Sequence, residues 1–437
     1  MSDRARPAAS RLAGARRIRR SLAAVAGLSL VAALAACSSS GGARTSGSPS
    51  TAATGSASSG SAAPTGKPLT VFFFNEQGAS AAASSPESYQ AAQAAVAYVN
   101  GKLGGIKGRP LKLIHCATIG TPDSVTNCAN KAIDAHPDVV VKGVETASAT
   151  AVPILAAAGI PYVTLNAGTP SELDNPDSFV LSSGFTAQLI PPIPYAKDKG
   201  FKHIGVVYAD LASLSGALSA SGAAAKLAAR DGIKYTTIPV AITTGDLTPA
   251  YSSVRAKKVD AIYVVGSAAQ CVSALKARAS LSDATPLFLA SACDVSSVLN
   301  TVPSSVTAGA LIPVVDTSEI ESDKDTSTYR AAMHEYEPSA DVGGWAPTSF
   351  AAIMDLYNVI SKAPDANALD AAKIKQMLDA ARDVPMFMGG GKTFSCDHTA
   401  FAGQSSVCSR WSFLVSYDNG KYKLVGAYDA ADLLHGV

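Results

Sequence analysis

Beyond position 66 the chain alternates short apolar, β-branched runs with longer alanine-rich segments of helical period. The runs Leu69–Phe74, Leu111–His115, Val139–Lys142, Tyr162–Leu165, His203–Tyr208, Tyr235–Ala241, Ala261–Val265, Leu287–Ala290 and Ala310–Val314 read as strands. Continuous apolar strands of this kind are buried on both faces, as in parallel sheets covered by helices. Helical periodicity fills the gaps near 86–102, 123–135, 149–158, 187–199, 216–231, 249–257, 268–282 and 294–300. Strand–helix alternation requires βαβ crossovers, so the class is α/β. Later the rhythm changes. Helices near 326–336, 347–362 and 369–382 follow one another, and then strands Trp411–Ser416 and Tyr422–Val425 flank Asp418-Asn419-Gly420, a hairpin signal. About 370 residues exceed what one doubly wound sheet needs, so two lobes are expected. Ligands of open α/β sheets bind beyond the carboxyl ends of the strands.

The first 66 residues break this pattern. Residues 1–36 hold seven arginines ahead of the apolar run Leu22 to Ala36, which is short of the roughly 20 residues that span a bilayer. That layout predicts a secretory signal peptide. Arg16-Arg17 lacks the hydrophobic pair of a twin-arginine signal, which favours general secretory export. The run closes on Leu34-Ala35-Ala36-Cys37, similar to the bacterial lipobox, so Cys37 is the expected lipidation site. Residues 38–66 are Ser, Gly and Ala-rich with no aromatic residue and one charge, Arg44. Such composition cannot offset its ordering entropy, so 37–66 reads as a lipidated cysteine and flexible tether.

Export gives the remaining cysteines a context. Six follow Cys37, an even number that favours disulfides over metal or redox chemistry. Among the possible connectivities the local one is expected: Cys116 with Cys128, Cys271 with Cys293, Cys396 with Cys408. A metal site from Cys396, His398 and Cys408 lacks the paired spacing of zinc ligands. The whole chain carries a formal charge of +2, but its leader holds seven arginines and one aspartate, so the chain from Cys37 onward is left at −4. No phosphate-neutralising excess is present for nucleic acid.

Enzyme signatures are lacking as well. The six histidines are scattered without a His-Glu-x-x-His pair, and no Gly-x-Ser-x-Gly follows a strand. Gly389-Gly390-Gly391-Lys392-Thr393 looks like part of a phosphate loop, yet Met386 stands where its first glycine belongs, so it reads as a turn connecting lobes. No cofactor is expected. The strand-end loops are instead small and polar: Asn75-Glu76-Gln77-Gly78, Glu145-Thr146-Ala147-Ser148 and Asn166-Ala167-Gly168-Thr169. Thr146 and Ser148 precede a helical run, where a hydroxyl can cap the helix and free N–H groups favour an anion such as a ligand carboxylate.

Several motifs point further. Gly104-Gly105-Ile106-Lys107-Gly108-Arg109 resembles a turn of the leucine/isoleucine/valine-binding proteins of ABC transporters. So do Ala158-Gly159-Ile160-Pro161-Tyr162-Val163 leading into Asn166-Ala167-Gly168-Thr169-Pro170-Ser171-Glu172-Leu173, then Val259–Tyr263 and Trp345–Leu356. This resemblance implies a periplasmic binding protein type I fold, two doubly wound parallel-sheet lobes joined by a three-segment hinge that closes on ligand. By order, lobe one takes 67–185 plus 316–390 and lobe two 186–315 plus 391–437. The family's carboxylate-holding positions fall on Thr146, Ala147, Ser148, Asn166, Ala167 and Gly168. In lobe two its covering tyrosine becomes Ser213, its second aromatic falls near Ser267, and its acid matches Ala292 with Asp294 two positions on. With Glu76 these form the expected ligand site.

The function implied is an extracytoplasmic, lipid-anchored solute-binding protein. It would deliver a small polar solute, such as an amino acid, amide or related carboxylate, to an ABC permease and its ATPase subunits. A ligand sensor signalling to a membrane partner is the alternative.

Overall fold

The computed structural model describes residues 63–78 and 84–437; the expected signal peptide, Cys37 and most of the expected tether lie outside them. Two large sheets carry the fold. The first is all parallel: β1 (Leu69–Glu76), β2 (Leu111–Thr118), β3 (Val139–Lys142), β4 (Tyr162–Thr164) and β5 (Ser178–Val180), in the order β2-β1-β3-β4-β5. The second contains β6 (His203–Ala209), β7 (Lys234–Val240), β8 (Ala261–Val265), β9 (Leu287–Leu289) and β10 (Ala310–Val314), all parallel. Two short strands, β11 (Val384–Pro385) and β12 (Thr393–Phe394), pair separately. Strands β13 (Trp411–Asp418) and β14 (Lys421–Asp429) then extend the second sheet antiparallel, giving β14-β13-β10-β9-β8-β6-β7.

Each sheet has helices on both faces, as its doubly apolar strands require. On one face of the first sheet, Phe73 and Val141 pack with Ala91, Ala95, Phe350 and Ala351 from helices Pro86–Lys102 and Ala346–Ile360. Alanines let those helices approach closely, and a buried Ser88–Ser349 hydroxyl contact of 2.7 Å joins them. Phe72, Phe74 and Val140 face the opposite layer with Val125 and Val152.

Three connections pass between the sheets, after β5, β10 and β12. They are tied together. Thr317 donates from its N and hydroxyl to the Met388 carbonyl at 2.6 and 2.8 Å, and Ser183 meets Ser412 at 2.8 Å. Glycines 389–391 turn β11 into β12, and Lys392 lies 3.8 Å over the Trp411 ring. Residues 406–408 pair beside β5: Val180 N donates to Ser406 and Cys408 N to Val180.

The three expected disulfides are present: Cys116–Cys128, Cys271–Cys293 and Cys396–Cys408. Asn419 and Gly420 both take positive φ, the conformation a two-residue hairpin turn demands, and join β13 to β14. Some elements differ from expectation. The helix expected over 187–199 is two, Gly184–Gln188 and Pro192–Asp198, because prolines at 191 and 192 supply no N–H to continue it. That expected over 216–231 is likewise split, into Ala212–Leu218 and Ala223–Arg230. Strand β5 is not among the expected strands because it is only three residues long, and the apolar run Phe179-Val180-Leu181 around it is shorter than that of an ordinary strand.

Candidate functional site

A cavity of about 90 Å³ lies where the carboxyl ends of β3, β4, β6, β8 and β9 face one another across the two sheets. One wall is polar. From the first sheet come Glu145, Thr146, Ser148, Asn166, Gly168, Thr169 and Glu172. The other is apolar. It presents Ala209, Leu211, Leu214, Ile242, Val265 and Ala290, with Ser267 as its hydroxyl. Phe185, on a connecting helix, and Trp345, just before Ala346–Ile360, add two rings 6.0 Å apart.

Carboxylates organise the polar wall. Glu76, at the end of β1, accepts from the Thr146 hydroxyl at 2.6 Å and the Thr146 N at 3.3 Å. Glu145 accepts from the Ala147 N at 2.7 Å and from the Thr118 hydroxyl. Glu172 Oε2 accepts from Gly168 N, Thr169 N and the Thr169 hydroxyl at 3.1, 3.1 and 2.9 Å. Its Oε1 takes Lys142 Nζ and the Tyr162 hydroxyl, both at 2.6 Å. The Lys142–Glu172 pair is buried, with side-chain exposures of 1% and 0%.

Their surroundings tune these groups differently. Burial pushes the Glu145 carboxyl up to about 7; Glu76 adds to the rise, while Thr118, the Ala147 amide and Lys142 oppose it. Burial also raises Glu172, but Lys142, Tyr162 and the Gly168 amide outweigh it and hold that carboxyl below its ordinary value. A buried ion pair of this kind is retained only where hydrogen bonds complete it, as they do here.

Of the residues expected at the ligand site, Thr146, Ser148, Asn166, Gly168 and Ser267 line this cavity. Glu76, Ala147 and Ala167 stand behind its wall, where Ala167 belongs to a small apolar cluster. The Ser213 side chain lies outside the described residues. Thr146 caps no helix, because its hydroxyl is turned to Glu76; no side chain caps the short helical turn Ser148–Thr150.

Asp294 is elsewhere. It accepts from the Tyr422 hydroxyl and lines a smaller void with Gln188, Ser291, Asp316 and Glu319. Burial pushes Asp294 up to about 7, against the Tyr422 hydrogen bond, and Glu319 up to about 8, with Asp294 adding and Arg330 opposing. Among the described residues no His, Cys, Asp and Glu group has the arrangement to hold a metal ion.

Sequence reasoning overlooked Glu145 and Glu172 as site residues although both sit in the quoted loops. It also overlooked the rings. Phe185 and Trp345 come from a connection and a helix start, positions that an aligned aromatic does not mark.

Residues 68–412 match the periplasmic binding protein family. Among solved structures, a leucine binding protein from Thermotoga maritima superposes with a TM-score of 0.66 over 84% of this chain and 99% of its own, at 16% identity. A fatty acid ABC transporter substrate-binding protein from Thermomonospora curvata gives 0.69 over 86% and 96%, at 15% identity. A branched-chain amino acid transporter substrate binding protein from Streptococcus pneumoniae, in complex with isoleucine, gives 0.64 over 83% and 98%, at 17% identity. At such identities the likeness is one of fold. No curated protein sequence is similar enough to count as a relative.

Proposed function

The chain belongs to the periplasmic binding protein family, and we propose that it is an extracytoplasmic solute-binding lipoprotein of an ABC importer, anchored through Cys37. The observation that carries this reading is the cavity between the two sheets, walled by residues of both and flanked by three tied connections. A solute held there touches both lobes at once, so its binding energy favours the closed arrangement over the open one. The permease and ATPase subunits are the partners this implies. Membership of a family of binding proteins supports a role in binding and not in catalysis.

The test is direct. Native mass spectrometry of gently purified protein is expected to find a small molecule retained in a one-to-one complex. A thermal-shift panel of amino acids, amides, amines, polyols and sugars is expected to contain at least one stabilising solute, worth about 2.7 kcal/mol at a hundredfold excess over Kd. Absence of any retained or stabilising solute would sink the reading. Metabolic labelling with an alkyne fatty acid tests the anchor: label is expected in the native chain and lost in Cys37→Ala.

A further inference from the structure

We propose that the cavity takes a small organic amine with a compact apolar body and rejects carboxylates. This rests on reading the cavity as the solute site and specifies its ligand. The argument begins with the backbone donors at the ends of β3 and β4. A ligand carboxylate entering there needs N–H and hydroxyl donors, and the protein's own glutamates already use five of those at the two strand ends. Thr146 N and its hydroxyl serve Glu76, Ala147 N serves Glu145, and Gly168 N and Thr169 N serve Glu172. The nearby buried cation, Lys142, is engaged by Glu172 and by the Asn166 carbonyl at 2.9 Å.

Among the described residues no lysine, arginine or histidine lines the cavity, whereas Glu145 does. Once Glu145 ionises, an incoming anion would meet like charge with no cation lining the site to offset it, a costly arrangement in a desolvated site. What the wall offers is acceptors. Asn166 Oδ1 is buried without a hydrogen-bond partner, and Glu145 is a carboxylate lining the same space. An ammonium group supplies the missing donors and positive charge together, and the Phe185 and Trp345 rings that line the same cavity add aromatic surface that attracts a cation. Leu211, Leu214, Ile242 and Val265 opposite would bury the ligand's hydrocarbon.

The experiment holds the apolar body constant and changes the head. Isopentylamine, isopentanol, isovalerate and leucine are titrated into the mature protein by calorimetry, with tryptophan fluorescence as a second readout. Isopentylamine is expected to bind at least about tenfold more tightly than isovalerate, the scale set by one charged hydrogen bond made or left unmade. Its affinity is expected to strengthen as pH rises through 7, where Glu145 ionises among Glu76, Lys142 and Glu172. In Glu145→Gln, with thermal unfolding run alongside to check that the fold is kept, both the amine preference and that pH dependence are expected to disappear. Tighter binding of isovalerate or leucine, or equal binding of alcohol and amine, overturns the ligand class while leaving the cavity a solute site. Silence from all four probes also overturns the ligand class, and the retained-ligand experiment above decides the solute-binding reading separately.

Discussion

Asp341 Oδ2 accepts hydrogen bonds from both the Ser296 N, at 3.1 Å, and the Ser296 hydroxyl, at 2.6 Å. Asp341 precedes helix Ala346–Ile360 of the first lobe, and Ser296 opens helix Ser296–Leu299 beside the second sheet. Beside them, Gly344 N donates to the Asp294 carbonyl at 2.6 Å. These contacts form only when the lobes are together, so they bias the closed arrangement.

Removing them tests that bias. Asp341→Ala is expected to weaken solute binding about tenfold, from two partly exposed hydrogen bonds of about 0.5–1.5 kcal/mol each, with stability to urea almost unchanged. Gly343→Ala goes further, because its Cβ would stand 2.3 Å from the Asp294 carbonyl oxygen. Small-angle scattering is expected to show ligand-induced compaction in the native protein and none in Gly343→Ala. Normal compaction in that variant would refute the latch.

The Lys142–Glu172 pair makes a different prediction. Lys142→Met leaves Glu172 buried without its cation, and breaking one side of such a pair costs about 3–5 kcal/mol. Urea unfolding is expected to report a loss of that order. Lys142→Met combined with Glu172→Gln is expected to recover part of it, since the glutamine oxygen still accepts from Gly168 and Thr169 while no charge remains buried. Equal loss in single and double variants would mean that packing, and not charge, holds this corner.

Much of the fold was legible because burial on both faces writes itself into a strand. Leu69–Phe74 and Ala261–Val265 need no partner to be recognised, and Asn419-Gly420 specifies its hairpin alone. The site was legible only as far as its loops. Thr146 and Gly168 could be placed at strand ends, but where their N–H groups point depends on Glu76, Glu145 and Glu172, which reach them through tertiary contacts. The aromatic pair was hidden for the same reason. Phe185 and Trp345 are 160 positions apart in the chain and 6.0 Å apart in space.

The disulfides separate stability from binding. Cys271 lies in helix Ala268–Ser280, whose cap Ser267 lines the cavity, and Cys293 follows Ala292, which lines it too. Cys396–Cys408 closes a loop away from it. Serine pairs at either bridge are expected to cost about 2–4 kcal/mol in unfolding experiments. Only the Cys271→Ser, Cys293→Ser pair is expected to weaken solute binding as well, measured by calorimetry at a temperature where both variants are folded.

Buried carboxyls set the pH dependence of the whole molecule. Burial raises Glu87 and Glu145 to about 7, Asp294 to about 7 and Glu319 to about 8. Asp316 and Asp341 add to the rise at Glu319, and Arg330 opposes it; at Asp294 the same two aspartates add to it while Tyr422 opposes it. A raised carboxyl keeps its proton in the folded state after the unfolded chain has released it. Folding therefore loses stability as pH climbs from about 4.5 toward 8, at up to about 1.4 kcal/mol per pH unit for each such group. Groups held low, Glu172 and Asp283, act in the opposite sense and withdraw their contribution as pH falls through the acid range. The raised groups make stability fall above the ordinary carboxylate range and the lowered groups make it fall below that range, so the molecule is most stable in mildly acidic solution. Scanning calorimetry is expected to show Tm falling from there to pH 8. Glu319→Gln is expected to flatten the upper part of that fall, because its carboxyl is the last of the four to lose its proton; a Tm that rises from pH 5 to 8 would contradict the account.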